Sequence, residues 1–497
     1  MKLFKSIFTC VFFLISITAL SQENTIPSDK EISYAVEQEM QFNKTSSSYL
    51  IDVSTKNGIV TLTGKVNNML EMDKAVQIAR TVKGVRGVIN QIEVLAPERP
   101  DDELKEDINQ AIIRDPATQI SEISIEVING MVTLNGMVES WQEKMLVSYV
   151  VKGVRGVKGI TNNIIVDSKT QRSDFDIEND IKEAIRYDVR VDGALIDVSV
   201  VDGRVSLSGV VGSVNERVVA NALAWTNGVA SVDDSEISVE EWARKENLRM
   251  QKYNIKTDAE IKEAILDAFT YDPRVASFNP DVSVRDGDIT LSGTVTNLKA
   301  KRAAENDAKN IVGVERVKNY IKVRTENIPK NDKLTASIQD AFLRDPMIEG
   351  LDIVVSANNG VVYLNGKVDS YYEKFYAEDL ASEEEGVVAI ENSIEVRDDD
   401  DYHYYDYYDW NSYFPIYQVD SKTTYMDDEN LKKEIEDRLW WSPYINQDEI
   451  TVEVDNGTAI LSGTVKTRRE KKQVLINALE AGSKDVKNNI LVQKNNK

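Results

Sequence analysis

Apolar and polar positions along this chain follow two rhythms that replace one another at regular intervals. Ile177, Ile181 and Ile185 stand four apart among charged residues, as do Ile261, Ile265 and Phe269, and Leu334, Ile338 and Phe342. That spacing lays one apolar stripe along a helix. Asp115-Pro116, Asp272-Pro273 and Asp345-Pro346 follow such stripes and predict the helix end, because the residue before proline is pushed out of the α region. The rhythm then changes to two. Ile123, Ile125 and Val127 alternate with polar residues, and so do Ile196, Val198 and Val200, the pattern of a half-buried strand.

A short phrase closes each such strand and opens the next. It reads Asn-Gly-Ile-Val-Thr-Leu-Thr-Gly at 57–64 and returns at 129–136, 202–209, 286–293, 359–366 and 456–463. Asn-Gly or Asp-Gly favours positive φ at both central turn positions and joins two strands of matched twist. Val132 and Leu134, Val205 and Leu207, and Val362 and Leu364 supply the core face of the second strand. The glycine that ends the phrase is expected at a bulge or a close backbone approach. Six copies at a period of roughly 70–75 residues predict six small domains in a row, each with its own core.

Four residues past that glycine a second helix is expected. Its N-cap candidates are Asn68, Ser140, Ser213, Asn297, Ser370 and Thr467. Glu71, Glu143, Glu216, Glu373 and Glu470 stand three residues on, at capping-box spacing, while Ala300 breaks the pattern in the fourth copy. A glutamate repeated there reads as a cap rather than a catalytic acid. Gly84, Gly156, Gly228, Gly313, Gly386 and Gly482 are expected to end this helix in the left-handed conformation. A last strand follows, as in 85–94, 157–166 and 314–323, with Asn90, Asn162, Asp234, Asn319, Asn392 and Asn488 near its start. The fold class is therefore α+β: a tandem array of six αββαβ domains, each a three-stranded sheet with two helices on one face. Sixty-odd residues per unit give a small but sufficient core.

The Asn-Gly…Leu-x-Gly hairpin, with the later Gly313-Val314-Glu315-Arg316-Val317-Lys318-Asn319-Tyr320-Ile321, resembles the BON domain (bacterial OsmY and nodulation). The resemblance covers nearly the whole chain after its first residues. The sixth copy departs from it, with Ala459 and Ile460 in its second strand and Gly482-Ser483 at its last turn. What the resemblance implies is a periplasmic envelope protein, in a family linked to osmotic or envelope stress and to phospholipid contact; no cofactor is expected.

The units are placed at 28–96, 101–168, 174–240, 257–325, 330–397 and 427–494. Most linkers are only a few residues, so neighbours stand within reach of one another. Residues 241–256 form a charged, helix-friendly spacer. Residues 398–426 differ in kind: four aspartates, then Tyr404, Tyr405, Tyr407, Tyr408 and Trp410 around His403, the only histidine. Three readings are open for this tract. It is a solvated tether, a contact surface for a protein or glycan partner, or a carboxylate calcium site. It lacks the Asp-x-Asp-x-Asp-Gly spacing of a calcium loop, and no metal site is assigned.

Residues 1–21 read as a signal peptide. Lys2 and Lys5 precede the apolar run 7–20, and Ala19-Leu20-Ser21 is a small-residue cleavage context; a retained membrane anchor is the alternative. Cys10, the only cysteine, lies inside this segment, so the mature chain is expected to have no thiol. The formal charge of the whole chain is −24. The first 21 residues hold only Lys2 and Lys5, so cleavage takes it to −26. Such a charge opposes nucleic-acid binding and overall adhesion to anionic membrane. No later segment is long and apolar enough to span a bilayer. No nucleophile elbow, His-Glu-x-x-His pair or phosphate-cradling loop is present, which leaves binding rather than catalysis. The candidate contacts to phospholipid headgroups or other anions are Lys83, Arg86, Lys152, Arg155 and Lys158, beside the helix-end glycines, and Lys466, Arg468, Arg469, Lys471 and Lys472 in the sixth unit. Envelope proteins are the alternative partners, and the oligomeric state is open.

Overall fold

The computed structural model describes residues 27–42, 50–118, 123–167, 172–244, 256–325, 328–396 and 427–493, apart from single positions at 349, 369–370, 443–444, 446, 456, 467, 482 and 484. The aromatic tract and the first 26 residues lie outside the described residues. Each unit is helix, strand, strand, helix, strand. In the first unit these are Asp29–Phe42, Ile51–Lys56, Ile59–Val66, Met69–Thr81 and Gly87–Val94. The second strand lies in the middle of the sheet. It pairs antiparallel with the first (Ile51 opposite Gly64) and parallel with the third (Gly64 opposite Ile92). The second helix is thus the crossover of a βαβ connection, which a parallel pair requires.

The core sits between that sheet and both helices. In the first unit Val60, Leu62 and Val66 of the central strand meet Ile32 and Val36 of the first helix and Ile78 and Ala79 of the second, all buried. The second, fourth, fifth and sixth units each have their own apolar cluster. The first and third depart from the one-core-per-unit expectation and share a single cluster. The reason is that their second helices pack on each other.

The hairpin turns are built as expected. Asn57, Asn129, Asp202, Asp286 and Asn359 all have φ between 50 and 54°, and the glycine after each is also positive. The glycine closing the phrase is a close backbone approach: a Cβ on Gly64, Gly209 or Gly463 would lie 2.0–2.1 Å from the carbonyl oxygen of Leu50, Leu195 or Glu449.

Two local expectations need correction and one needs extending. Gly84, Gly156, Gly228 and Gly313 do have positive φ, yet they lie beyond the helices, which end at Thr81, Lys152, Leu223 and Lys309. They shape the turn into the last strand instead of capping the helix. The last strand is not continuous in every unit. It breaks after Asn162, Asn319 and Asn488. The asparagine Oδ1 accepts the N–H two residues on (Ile164, Ile321, Ile490), and its Nδ2 donates to a carbonyl of the second helix (Lys144, Lys301, Lys471). Asn90 and Asn392 make the same forward bond in last strands that run unbroken, so the bond alone does not set the break. The Asp-Pro ends stand as expected, Asp115, Asp272 and Asp345 being extended C-caps just before proline, and the third unit adds a case without one. Asp188 has no proline after it, yet it ends its helix as Asp115 and Asp345 do, with an extended C-cap and a carboxylate that accepts the N–H two residues on.

Candidate functional site

The residues that recur in the units build backbone. Asp29 accepts the N–H groups of Asn57 and Gly58, both at 2.8 Å, so the first helix clamps the hairpin turn. Asp101, Asp174 and Asp258 do the same for Asn129 and Gly130, Asp202 and Gly203, and Asp286 and Gly287. Those backbone bonds hold the Asp29 carboxyl below its ordinary range. In the fifth unit Asn331 takes the place of the aspartate and accepts from Asn359 at 2.9 Å. This clamp is the main feature missed in the sequence. Its signal was an Asp or Asn 28 residues before each turn asparagine or aspartate.

The second-helix caps are real, with a refinement. Asn68, Ser140 and Ser213 accept from the N–H of Glu71, Glu143 and Glu216. The glutamates, however, reach back to the residue before the cap, Asn67, Glu139 and Gly212. A reciprocal capping box stands instead on a first helix, between Thr257 and Glu260.

The structure does not gather the sequence-derived cations into one patch. Lys83 is buried, its ammonium 3.8 Å from the centre of the Trp440 ring. Arg86 donates to the Val239 carbonyl and pairs with Glu240 at 2.6 Å. Lys152 pairs with Asp73 at 2.6 Å. The Arg155 N–H donates to the Arg344 carbonyl at 2.7 Å. Lys158 packs its chain on the Gly130 turn. Lys471 donates to the Ile490 carbonyl at 2.6 Å, as Lys144 does to Ile164. The Lys466 N–H donates to Glu470. Arg468 opens the second helix of the sixth unit, Arg469 and Lys472 lie in its first turns, and the aromatic Tyr404, Tyr405, Tyr407, Tyr408 and Trp410 fall outside the described residues.

Four of those cations join one unit to another, and they belong to a wider set of junctions. Met69 of the first unit enters the core cluster of the second. Trp141 of the second stacks on Trp225 of the third at 5.3 Å, and Gln142 donates to the Trp225 carbonyl. Leu298 of the fourth packs on the fifth, and Arg302 beside it bonds Glu378. Each contact uses the first turns of the second helix. With the shared core of the first and third units, the first three units close a ring.

A second mode crosses the chain. The residue just before the turn glycine donates its N–H to the last carbonyl of a partner unit's first helix. Lys83 donates to Trp441, Arg155 to Arg344, and Val312 to Tyr187. Equivalent positions thus pair the first unit with the sixth, the second with the fifth and the fourth with the third.

The most buried junction is ionic. Lys299 of the fourth unit, 3% exposed, lies 2.6 Å from both Asp115 of the second and Glu383 of the fifth. Burial works against its charge, but Asp115, Glu383 and Asp379 outweigh it and hold the ammonium well above the ordinary lysine range. Removing two or three charges from water is costly unless the geometry compensates. This contact therefore specifies which units meet more than it adds net stability. Among the described residues no group of three or more His, Cys, Asp or Glu side chains could hold a metal, and no helix is long and apolar enough to cross a membrane.

Comparison with known proteins agrees with this architecture. The family model described as the BON domain matches six times, at 28–96, 100–168, 173–241, 257–325, 330–398 and 427–494. The chain is 24% identical over 187 residues to the osmotically-inducible protein Y of Escherichia coli (strain K12), covering 36% of this chain and 93% of that protein. It is 30% identical over 141 residues to the outer membrane lipoprotein DolP of Haemophilus influenzae, covering 27% of this chain and 65% of that one. A solved structure of CdsD, a structural protein of the type III secretion system of Chlamydia trachomatis, aligns at 14% identity over 41% of this chain and 90% of its own, with a TM-score of 0.12. The clamped hairpins, the crossover sheets and six family matches lead to one assignment: the chain belongs to the BON domain family, as a six-copy member.

Proposed function

We propose that this chain is an exported, non-enzymatic binding protein of the cell envelope that contacts phospholipid or other envelope components at several points. The observation that carries the reading is the six-fold family match, together with similarity to one protein named for osmotic induction and another named as an outer membrane lipoprotein. The basic, apolar and small-residue pattern of residues 1–21 supports export to the periplasm. The repeated residues are used as clamps, caps and turns, which favours binding over chemistry.

Contact points fixed on one body add their affinities differently from tethered modules. Neighbouring sites already held at the right distance raise one another's effective concentration without a linker penalty. The net charge of −24 opposes lipid binding as a whole, so contact must use a local patch, and affinity should fall as salt rises. Flotation of the mature chain with vesicles, with and without anionic lipid, tests this. Binding to the anionic vesicles that weakens with salt is expected; binding to neither removes the lipid reading. A scaffold that grips an envelope protein or cell-wall glycan through residues 398–426 is the second reading, favoured by the density of tyrosine there. Deleting 398–426 separates the two: lost partner capture with intact flotation supports the scaffold.

A further inference from the structure

Several cations of the fourth unit face carboxylates. Lys299, Arg302, Lys309 and Arg316 pair with Asp115 and Glu383, Glu378, Glu305, and Asp288. The last strand of the fourth unit is different. Lys301, Asn319, Tyr320, Ile321, Lys322 and Arg324 line an open groove of about 510 Å3, whose apolar part includes Val323 and Val388. Among the described residues, the side chains of Lys301, Lys322 and Arg324 make no ion pair or hydrogen bond. Tyr320 is 63% exposed with its ring at the same groove.

The repeat itself shows that this is not a feature of the fold. The position of Tyr320 holds Gln91, Asn163, Ser393 and Asn489 in four other units, judged by strand register. The position of Lys322 holds Glu93, Ile165, Glu395 and Leu491. In the first and fifth units that glutamate is neutralised across the ladder, by Lys65 and Lys367. The fourth unit reverses the sign and puts Thr294 opposite, so Lys322 has no partner there. Lys301 departs as well. Its equivalents Lys144 and Lys471 donate to the Ile164 and Ile490 carbonyls, whereas the Lys301 ammonium, like that of Lys374 in the fifth unit, makes no such bond among the described residues.

We propose that this groove binds a phosphate-bearing ligand, its oxyanion held by Lys301, Lys322 and Arg324 and flanked by Tyr320. Two ammonium groups and a guanidinium around one concavity suit a multiply charged, several-oxygen anion, with arginine able to bond two oxygens at once. Val323 and Val388 offer apolar surface for the organic part of an ester. The volume falls within the range of small-ligand pockets, about 300–1,000 Å3. This deepens the lipid-contact reading by naming where a phosphate would bind. The source is either a lipid headgroup or a soluble phosphate ester.

The test compares the full mature chain with the double variant Lys322→Glu and Arg324→Glu. Both side chains are exposed, so the fold is expected to stand. A charge-matched control carries Lys105→Glu and Lys262→Glu, exposed on first helices. Each protein is floated with phosphatidylglycerol vesicles and titrated calorimetrically with glycerol phosphate. The groove predicts a loss of about tenfold or more in affinity for the double variant, and little change for the control, wherever the natural chain binds. Binding of glycerol phosphate alone, lost in the variant, supports the groove with a soluble ligand and removes the lipid reading. Vesicle binding that survives in the double variant overturns the groove and leaves the lipid reading standing; ester binding that survives overturns the groove as well. A natural chain that binds neither probe overturns both.

Discussion

The interior of a unit and the junctions between units follow opposite rules. Inside, most roles return with the same or a similar residue type. Asp29, Asp101, Asp174 and Asp258 all clamp a hairpin. At the junctions, one helix position holds a different residue in each unit. Two residues past the second-helix cap stand Leu70, Gln142, Asn215 and Lys299. Leu70 joins the core cluster of the fifth unit, Gln142 bonds the third, and Lys299 bonds the second and fifth. Repetition therefore encodes the domain, and departure from repetition encodes the neighbour. The same rule singles out the groove of the fourth unit, where the strand departs from its copies and Val388 of the fifth unit completes the lining.

The largest expected effect lies at a junction. Lys299→Met leaves buried Asp115 and half-buried Glu383 without their counter-charge and should cost about 3–5 kcal/mol in chemical denaturation. Adding Asp115→Asn and Glu383→Gln should recover most of that loss, because a neutral cluster carries no unpaired charge. If the triple variant is no better than the single one, the contact is not ionic in the way described. An interior change comes next. Gly209→Ala puts a methyl 2.0 Å from the Leu195 carbonyl oxygen at a φ of 119°. A loss of about 3 kcal/mol is expected, with hydrogen exchange rising throughout the third unit.

Asp345 gives a pH test. Burial raises its carboxyl from the ordinary 3.8 to about 7, against bonds from Tyr376, Met347 and Ile348. A carboxyl raised on folding favours the folded state below its unfolded pKa, and that contribution is lost as pH rises from about 4 to about 7. Asp345→Asn should therefore be more stable than the natural chain at pH 8, by about 1–3 kcal/mol, with the difference closing toward pH 4. A smaller effect separates two clamps. Asp174→Ala removes two bonds from the third hairpin and should cost about 1–2 kcal/mol. Asn331→Asp in the fifth unit should gain a few tenths, roughly, by restoring the carboxylate. Both are read by thermal unfolding.

Much of the interior was legible because local chemistry dictates it. Asn-Gly and Asp-Gly require a positive-φ turn, the alternating Val and Ile require a strand, and the caps require Ser or Asn. The Asp clamp was visible in principle as a fixed spacing, but it needs the third dimension to explain why a helix start and a turn meet. The Asp-Pro helix ends were legible as well, and Asp188 shows that an aspartate bonding forward two residues ends the helix without proline. The junctions were not legible. Nothing in a single sequence says that Lys299 sits beside Asp115, 184 residues away, and charge runs there read as solvated faces. Lys83, Arg86 and Lys152 were singled out as anion contacts on charge alone. Their proximity to Trp440, Glu240 and Asp73 appears only in the fold.

The account stands on the six units being held as one body by these unlike junctions. Small-angle X-ray scattering of the mature chain tests that most directly. A packed body should give a radius of gyration near the roughly 23 Å of a compact chain of this length, enlarged slightly by residues 398–426. It should expand on Lys299→Met. A natural chain whose radius is roughly half as large again, and unchanged by that substitution, would mean six independent units on a string and would contradict the account.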